Sequence, residues 1–163
     1  MIFVTVGTNE APFDRLLEAV AALGLTEELI VQHGSSRCRP ETALCVESLP
    51  LDELTVLVRQ ARVTVTHAGV GTILTALANG KRPVVVPRLH SYGEAVDDHQ
   101  VEFARRLGPE LITLVEDMAD LRAALEVPSD RDTLEIVPDP RLIEDLRAVL
   151  GVKAAAPPVA VES

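Results

Sequence analysis

Residues 66–87 read THAGVGTILTALANGKRPVVVP, and the groups that can do chemistry stand at the start of this stretch. An apolar strand runs straight into His67, Ala68 and Gly69, and a helix then begins through Gly71 and Thr72. The first backbone N–H groups of a helix have no partner within it, and the macrodipole places about half a positive charge there. Gly69 and Gly71 remove side chains that would stand between those N–H groups and an approaching diphosphate, and the Thr72 hydroxyl can donate once more. Hydrogen bonds to a charged group contribute roughly 1.5–3 kcal/mol each, so three of them could hold a diphosphate without a metal. The same residues also read as a tight strand-to-helix turn whose glycines serve packing alone. His67 has two readings as well: a structural histidine, or a ring N–H donated to an anion at the mouth of the cradle.

Such groups need a scaffold, and the chain around them alternates strands with helices. IFVTVG (2–7), ELIVQHG (28–34), ALCVESL (43–49), RVTVTH (62–67), RPVVVP (82–87) and ELITLVE (110–116) read as strands. PFDRLLEAVAAL (12–23), LDELTVLVRQA (51–61), VGTILTALANG (70–80), DDHQVEFARRLG (97–108), DMADLRAALEV (117–127) and PRLIEDLRAVLG (140–151) read as helices. Runs of Val, Ile and Leu without polar alternation mark strands covered on both faces. The expectation is a doubly wound, Rossmann-like α/β domain with a mostly parallel sheet over residues 1–151, and a mobile Ala/Pro-rich tail at 152–163.

In open α/β sheets ligands bind at the carboxyl ends of the strands. Four loops then become candidates: Gly7-Thr8-Asn9, Gln32 to Ser36, His67 to Thr72, and the long connection from Arg88 to His99. His99 and Gln100 follow Asp97 and Asp98 at a helix start. They read either as a solvated pair behind capping aspartates or as a polar set facing sugar hydroxyls. No short-range spacing among His67, His99 and the aspartates marks a metal site.

Composition narrows the classes further. With 163 residues, 47% of them hydrophobic, the chain is long enough for one domain with a real core. No apolar run reaches the ~18 residues of a membrane span, and MIFVTVGT reads as a buried strand instead of a signal peptide. A cytoplasmic protein is expected, with Cys38 and Cys45 as ordinary reduced thiols. The net charge of −10 and pI near 4.8 argue against nucleic acid and against unaided binding to anionic lipid. Aromatics are too few for a base-stacking platform. No G-x-x-x-x-G-K-[ST] occurs, and G-V-G-T-I-L lacks the third glycine of a dinucleotide fingerprint.

The combination of MIFVTVGT and PFDRLL with THAGVGTILTAL, GKRPVVVPR, YGE and DDHQ resembles the C-terminal-domain class of glycosyltransferase family 28. Within it the chain is similar to small soluble subunits of two-component bacterial exopolysaccharide glycosyltransferases, and to the soluble subunit of the eukaryotic enzyme that adds the second N-acetylglucosamine to diphosphodolichol. The match covers residues 1 to about 108 well. The resemblance implies the C-terminal half of a GT-B enzyme, binding a UDP-sugar without an obligatory metal or other cofactor. A membrane-associated partner subunit would bring a lipid-linked acceptor and place the pair at the inner face of the membrane. Carried over by position, Gly7, Thr8, His67, Gly69, Gly71 and Thr72 would face the diphosphate. Asp98, His99 and Gln100 would face the donor sugar, a hexose or hexuronosyl unit, while Arg88, Tyr92 and Glu94 would shape that pocket or the partner interface. The acceptor's base would sit on the other half, leaving Glu94 and His99 as local candidates. Related enzymes commonly place a ribose-binding glutamate eight residues after the histidine, where this chain has Thr75. The rival implication is a non-catalytic nucleotide-sugar-binding or regulatory subunit.

Overall fold

Strands built from Val, Ile and Leu bury both faces, and the computed structural model, which describes residues 1–129, shows where they go. β1 (Ile2–Thr5), β2 (Leu29–Gln32), β3 (Ala43–Val46), β4 (Val63–His67), β5 (Val84–Val86) and β6 (Thr113–Leu114) form one six-stranded sheet. The order is β3-β2-β1-β4-β5-β6 and every pairing is parallel. Helices α1 (Asp14–Ala22), α2 (Leu51–Gln60), α3 (Val70–Ala78), α4 (His99–Leu107) and α5 (Leu121–Glu126) lie between or after the strands. This is the doubly wound arrangement that the strand and helix alternation predicts.

β1 shows the double cover residue by residue. Ile2, Val4 and the following Val6 join Val31, Val65 and Val84 beneath Phe13, Leu16, Leu17 and Val20. Phe3 points to the opposite face and packs with Val58, Ala61 and Ala76, from the α2 and α3 side. Burying a side chain of that size contributes about 1.5–3 kcal/mol relative to exposure. β1, β4 and β5 are almost wholly buried, whereas the edge strands β3 and β6 are half-buried. Cys38 and Cys45 are free and pack beside the first of these clusters.

Several elements are shorter than their patterns suggest. β6 holds only Thr113 and Leu114 because its partner β5 is itself short, so the ladder closes after Val84↔Thr113 and Val85↔Leu114. α1 begins at Asp14 instead of Pro12, since Phe13 keeps a non-helical φ of −126° with its ring in the core. The helix expected at 117–127 divides into a 3-10 turn, Met118–Asp120, and α5; the Asp117 carboxylate accepts from Ala119 N at 2.9 Å to start the turn. α4 stops before Gly108, as its sequence indicates. The helix expected at 140–151, the domain boundary at 151 and the tail at 152–163 lie outside the described residues. No helix among the described residues is long and apolar enough to cross a membrane.

Candidate functional site

β1 and β4 are neighbours in register, Thr5 beside Thr66, yet the chain leaves them toward opposite edges of the sheet. The crevice at such a switch point is where open α/β sheets take their ligands. The loops after β1, β2, β4 and β5 all open at this carboxyl edge. The first two are fastened together from within. The Thr5 hydroxyl donates to Gln32 Oε1, and Gln32 Nε2 donates to Gly7 O at 3.2 Å. Ser35 Oγ donates to Asn9 O at 2.7 Å, and Ser36 Oγ accepts from Phe13 N at 2.8 Å.

The His67 ring fills a slot between two glycines. A Cβ on Gly69 would lie 2.1 Å from His67 Nε2, and one on Gly7 would lie 2.4 Å from His67 Cε1. Both are distances no real Cβ can occupy. Gly7 also carries a φ of +75°, in the left-handed region that glycine enters without strain. The structure therefore gives Gly7 and Gly69 a packing duty: they admit the imidazole to the crevice. Burial pushes the His67 pKa down to about 4, with the nearby Arg88 cation adding to the fall and a hydrogen bond to the Thr5 backbone opposing it. His67 is thus a neutral ring at pH 7, with one N–H donor and one acceptor.

Gly71 behaves differently. It is exposed, and a Cβ there would meet nothing within 4 Å. It lies in the first turn of α3, which has Gly69 at its N-cap, no side-chain cap and no acidic residue in its first turn. α1 and α2 have Asp14 and Asp52–Glu53 in the corresponding places. α3 thus presents a bare, positively polarised helix start to the crevice. Thr72 is half-buried beside it and Thr8 is exposed on the loop after β1. The Thr75 hydroxyl donates to Gly71 O at 2.9 Å, one turn back along the helix.

The connection from Arg88 to His99 holds the remaining expected residues in two different settings. Arg88 is fully buried and Glu94 nearly so, so neither side chain is offered to a partner at the surface. Tyr92 is exposed, and its ring stacks with the Arg15 guanidinium at 5.3 Å. Asp98 Oδ1 accepts from His90 N at 3.0 Å, and Gln100 Oε1 accepts from Arg88 N at 3.2 Å. Just before α4, the Asp97 carboxylate accepts from His99 N at 3.1 Å and pairs with His99 Nδ1 at 2.7 Å. Those bonds hold the Asp97 carboxyl below its ordinary value. His99 itself stays exposed. One residue without a sequence signal proves central. Arg15, in an amphipathic helix where an arginine reads as solvent-facing, grips Glu94 with Nε and Nη2, both at 2.9 Å. Gln32, the first residue of the candidate stretch Gln32 to Ser36, anchors Gly7.

Comparison with known proteins agrees with this layout. The model of the glycosyltransferase family 28 C-terminal domain matches residues 1–126. The chain is similar to the UDP-N-acetylglucosamine transferase subunit ALG13 of Yarrowia lipolytica, with 29% identity over 66% of this chain and 60% of that protein. It is similar to the Homo sapiens protein of the same name, with 34% identity over 67% of this chain and 10% of that protein. The chain thus spans less than two thirds of the length of either. In fold it resembles the calicheamicin glycosyltransferase CalG4, with a TM-score of 0.56 at 19% identity over 90% of this chain and 37% of that one. It also resembles the glycosyltransferase SnogD from Streptomyces nogalater, with a TM-score of 0.52 at 24% identity over 77% of this chain and 34% of that one. The fold is the one expected for the C-terminal half of a GT-B glycosyltransferase, and the chain belongs to the glycosyltransferase family 28 C-terminal domain family.

Proposed function

We propose that this chain is the donor-binding part of a split glycosyltransferase, taking a UDP-sugar and acting with a membrane-associated subunit that holds a lipid-linked acceptor. One observation carries the reading. The uncapped, acid-free start of α3 opens at the switch point with Gly71 clear of every neighbour. The names of the relatives supply the donor class and the idea of a subunit, since both are UDP-N-acetylglucosamine transferase subunits. The donor sugar here is a hexose, an N-acetylhexosamine or a hexuronosyl unit.

In this reading the backbone N–H groups of Val70, Gly71 and Thr72 receive the diphosphate. They stabilise UDP as the sugar–phosphate bond breaks, because fixed dipoles need no reorganisation when charge develops. Neutral His67 adds one ring donor and no charge. Asp98, His99 and Gln100, at the start of α4, border the sugar. Arg88 and Glu94 shape this wall from inside, and Tyr92 shapes its rim. The base that takes the acceptor proton belongs to the partner. No metal or cofactor enters the scheme.

The test is ligand-observed NMR with UDP, UMP, GDP and NAD offered in parallel. Saturation transfer to UDP is expected, with at least about tenfold weaker binding in Gly71→Val, because the new side chain stands where three charge-assisted hydrogen bonds form. The melting temperature should stay near that of the wild type, since the space is open. A variant that keeps full affinity would remove the phosphate cradle from α3. A second expectation concerns turnover: the isolated chain should show little transferase activity, and addition of the acceptor-binding subunit should restore it. Robust turnover by this chain alone would overturn the split-enzyme reading.

A further inference from the structure

Arg88 heads the largest fully buried side chains among the described residues. It stands two residues beyond β5, and its guanidinium donates to main-chain oxygens. Nη1 reaches Ala11 O at 2.8 Å, Pro12 O at 3.3 Å and Glu94 O at 3.2 Å, while Nη2 reaches Val6 O at 2.9 Å. The group lies over the Phe13 ring at 4.7 Å, and its Nε has no partner. These bonds tie the loop after β5 to the loop after β1.

The neighbouring acid acts on it through space, while its carboxylate is hydrogen-bonded elsewhere. The Glu94 carboxylate faces Arg15, which donates to both of its oxygens, and it also accepts from Leu89 N at 2.9 Å. Arg15 is held on the same loop a second time, through Nη2 to Pro87 O at 2.9 Å. Two guanidinium groups and one carboxylate therefore leave one positive charge over, beneath the carboxyl edge of the sheet, in a chain whose net charge is −10. Burying more cations than carboxylates is costly, even where four main-chain carbonyls accept from one of them. The location supplies a use for the charge. Val6 O, which Arg88 holds, immediately precedes Gly7, and Gly7 packs on the His67 ring. The cation is felt at that ring, where it helps to keep the imidazole neutral.

We propose that Arg88 is a positioning residue that also supplies positive potential to the diphosphate site from behind Gly7, and that Arg15 preserves this potential by claiming the carboxylate of Glu94. The inference rests on the donor-site reading and adds to it a source of anion affinity that never touches the ligand. A buried cation in a low-dielectric setting acts over several ångströms with little screening by salt.

The prediction separates charge from shape. Dissociation constants for UDP and for uridine, which carries no phosphate, are measured by NMR titration on the wild type, Glu94→Gln, Arg15→Gln and Arg15→Lys. Glu94→Gln removes a negative charge and nearly keeps the shape, so UDP should bind about threefold tighter while uridine is unchanged. Arg15→Gln removes a positive charge, and UDP should bind about threefold weaker or worse, again with uridine unchanged. Arg15→Lys keeps the charge and should hold the wild-type ratio of UDP to uridine affinity. A clamp that only positions the loops predicts that Glu94→Gln weakens both ligands together. That result, or a constant ratio across all variants, overturns the electrostatic role while leaving the donor site intact. Melting temperatures identify any variant that fails to fold, in which case the remaining charge-changing variant and the Arg15→Lys control decide the question. Absence of UDP binding in the wild type, alone and with the acceptor-binding subunit, would overturn the donor-site reading and this inference with it.

Discussion

Gly69→Ala is expected to destabilise the domain by about 1–3 kcal/mol, although alanine suits the backbone conformation there, because the new methyl group overlaps the His67 ring. The backbone at Gly69 has φ −84° and ψ 122°, open to any residue, so strain at that peptide contributes nothing. The whole cost comes from a Cβ 2.1 Å from His67 Nε2. Gly7→Ala should cost more, about 2–4 kcal/mol, since its left-handed φ adds about 1 kcal/mol to a similar overlap. Gly71→Ala, two residues from Gly69, should be neutral or stabilising by up to about 1 kcal/mol, because it meets no atom and restrains the unfolded chain. Urea unfolding of the three variants checks the order. A double-mutant cycle checks the cause: in a His67→Ala background the cost of Gly69→Ala should largely vanish. Equal destabilisation in both backgrounds would show that the ring is not what the glycine accommodates.

Stability should also fall by about 2 kcal/mol between pH 6.5 and pH 5, out of about 3 kcal/mol available from this histidine. The folded-state pKa of His67 is depressed to about 4, from an ordinary value of 6.5. Between those values the unfolded chain binds the proton and the folded chain does not. The contribution is therefore complete above pH 6.5, shrinks as pH falls, and is exhausted near pH 4. Urea unfolding at a series of pH values should show this slope in the wild type and a clearly shallower one in His67→Gln. A second, lower window belongs to Glu27, whose carboxyl is held at about 2 mainly by its hydrogen bonds to Arg62. Its contribution fades only from about pH 4.5 downward, so the two groups can be told apart. An unchanged slope in His67→Gln would mean that the ring is solvated and free to titrate in the folded state.

The glycines show what residue type and order can and cannot convey. Gly69 and Gly71 look alike in the sequence, two small residues flanking a helix start. In space one faces an imidazole and the other faces open solvent, because Gly69 lies before the first helical turn and Gly71 within it. Arg88 and Arg15 make the same point for charge. A guanidinium after a strand reads as a group reaching for a ligand or a partner, yet Arg88 is enclosed by carbonyls from loops about 80 residues away in the chain. Arg15 reads as the polar side of a helix and instead holds Glu94 across a comparable distance in sequence. Long-range partners of this kind have no local signature.

By itself the sequence determined the parallel, double-sided sheet, since unbroken Val, Ile and Leu runs alternating with amphipathic helices have no other economical way to bury both faces. It also determined which loops share the carboxyl edge, because right-handed crossovers in a parallel sheet leave that edge to the strand-to-helix turns. Only the tertiary structure decided what each loop residue does there. It set His67 into a slot between Gly7 and Gly69, left Gly71 bare at the start of α3, and buried Arg88 behind Gly7 among main-chain carbonyls. Those outcomes depend on ångström-scale packing and on which buried cation claims which carboxylate, and both are settled between segments far apart in the chain.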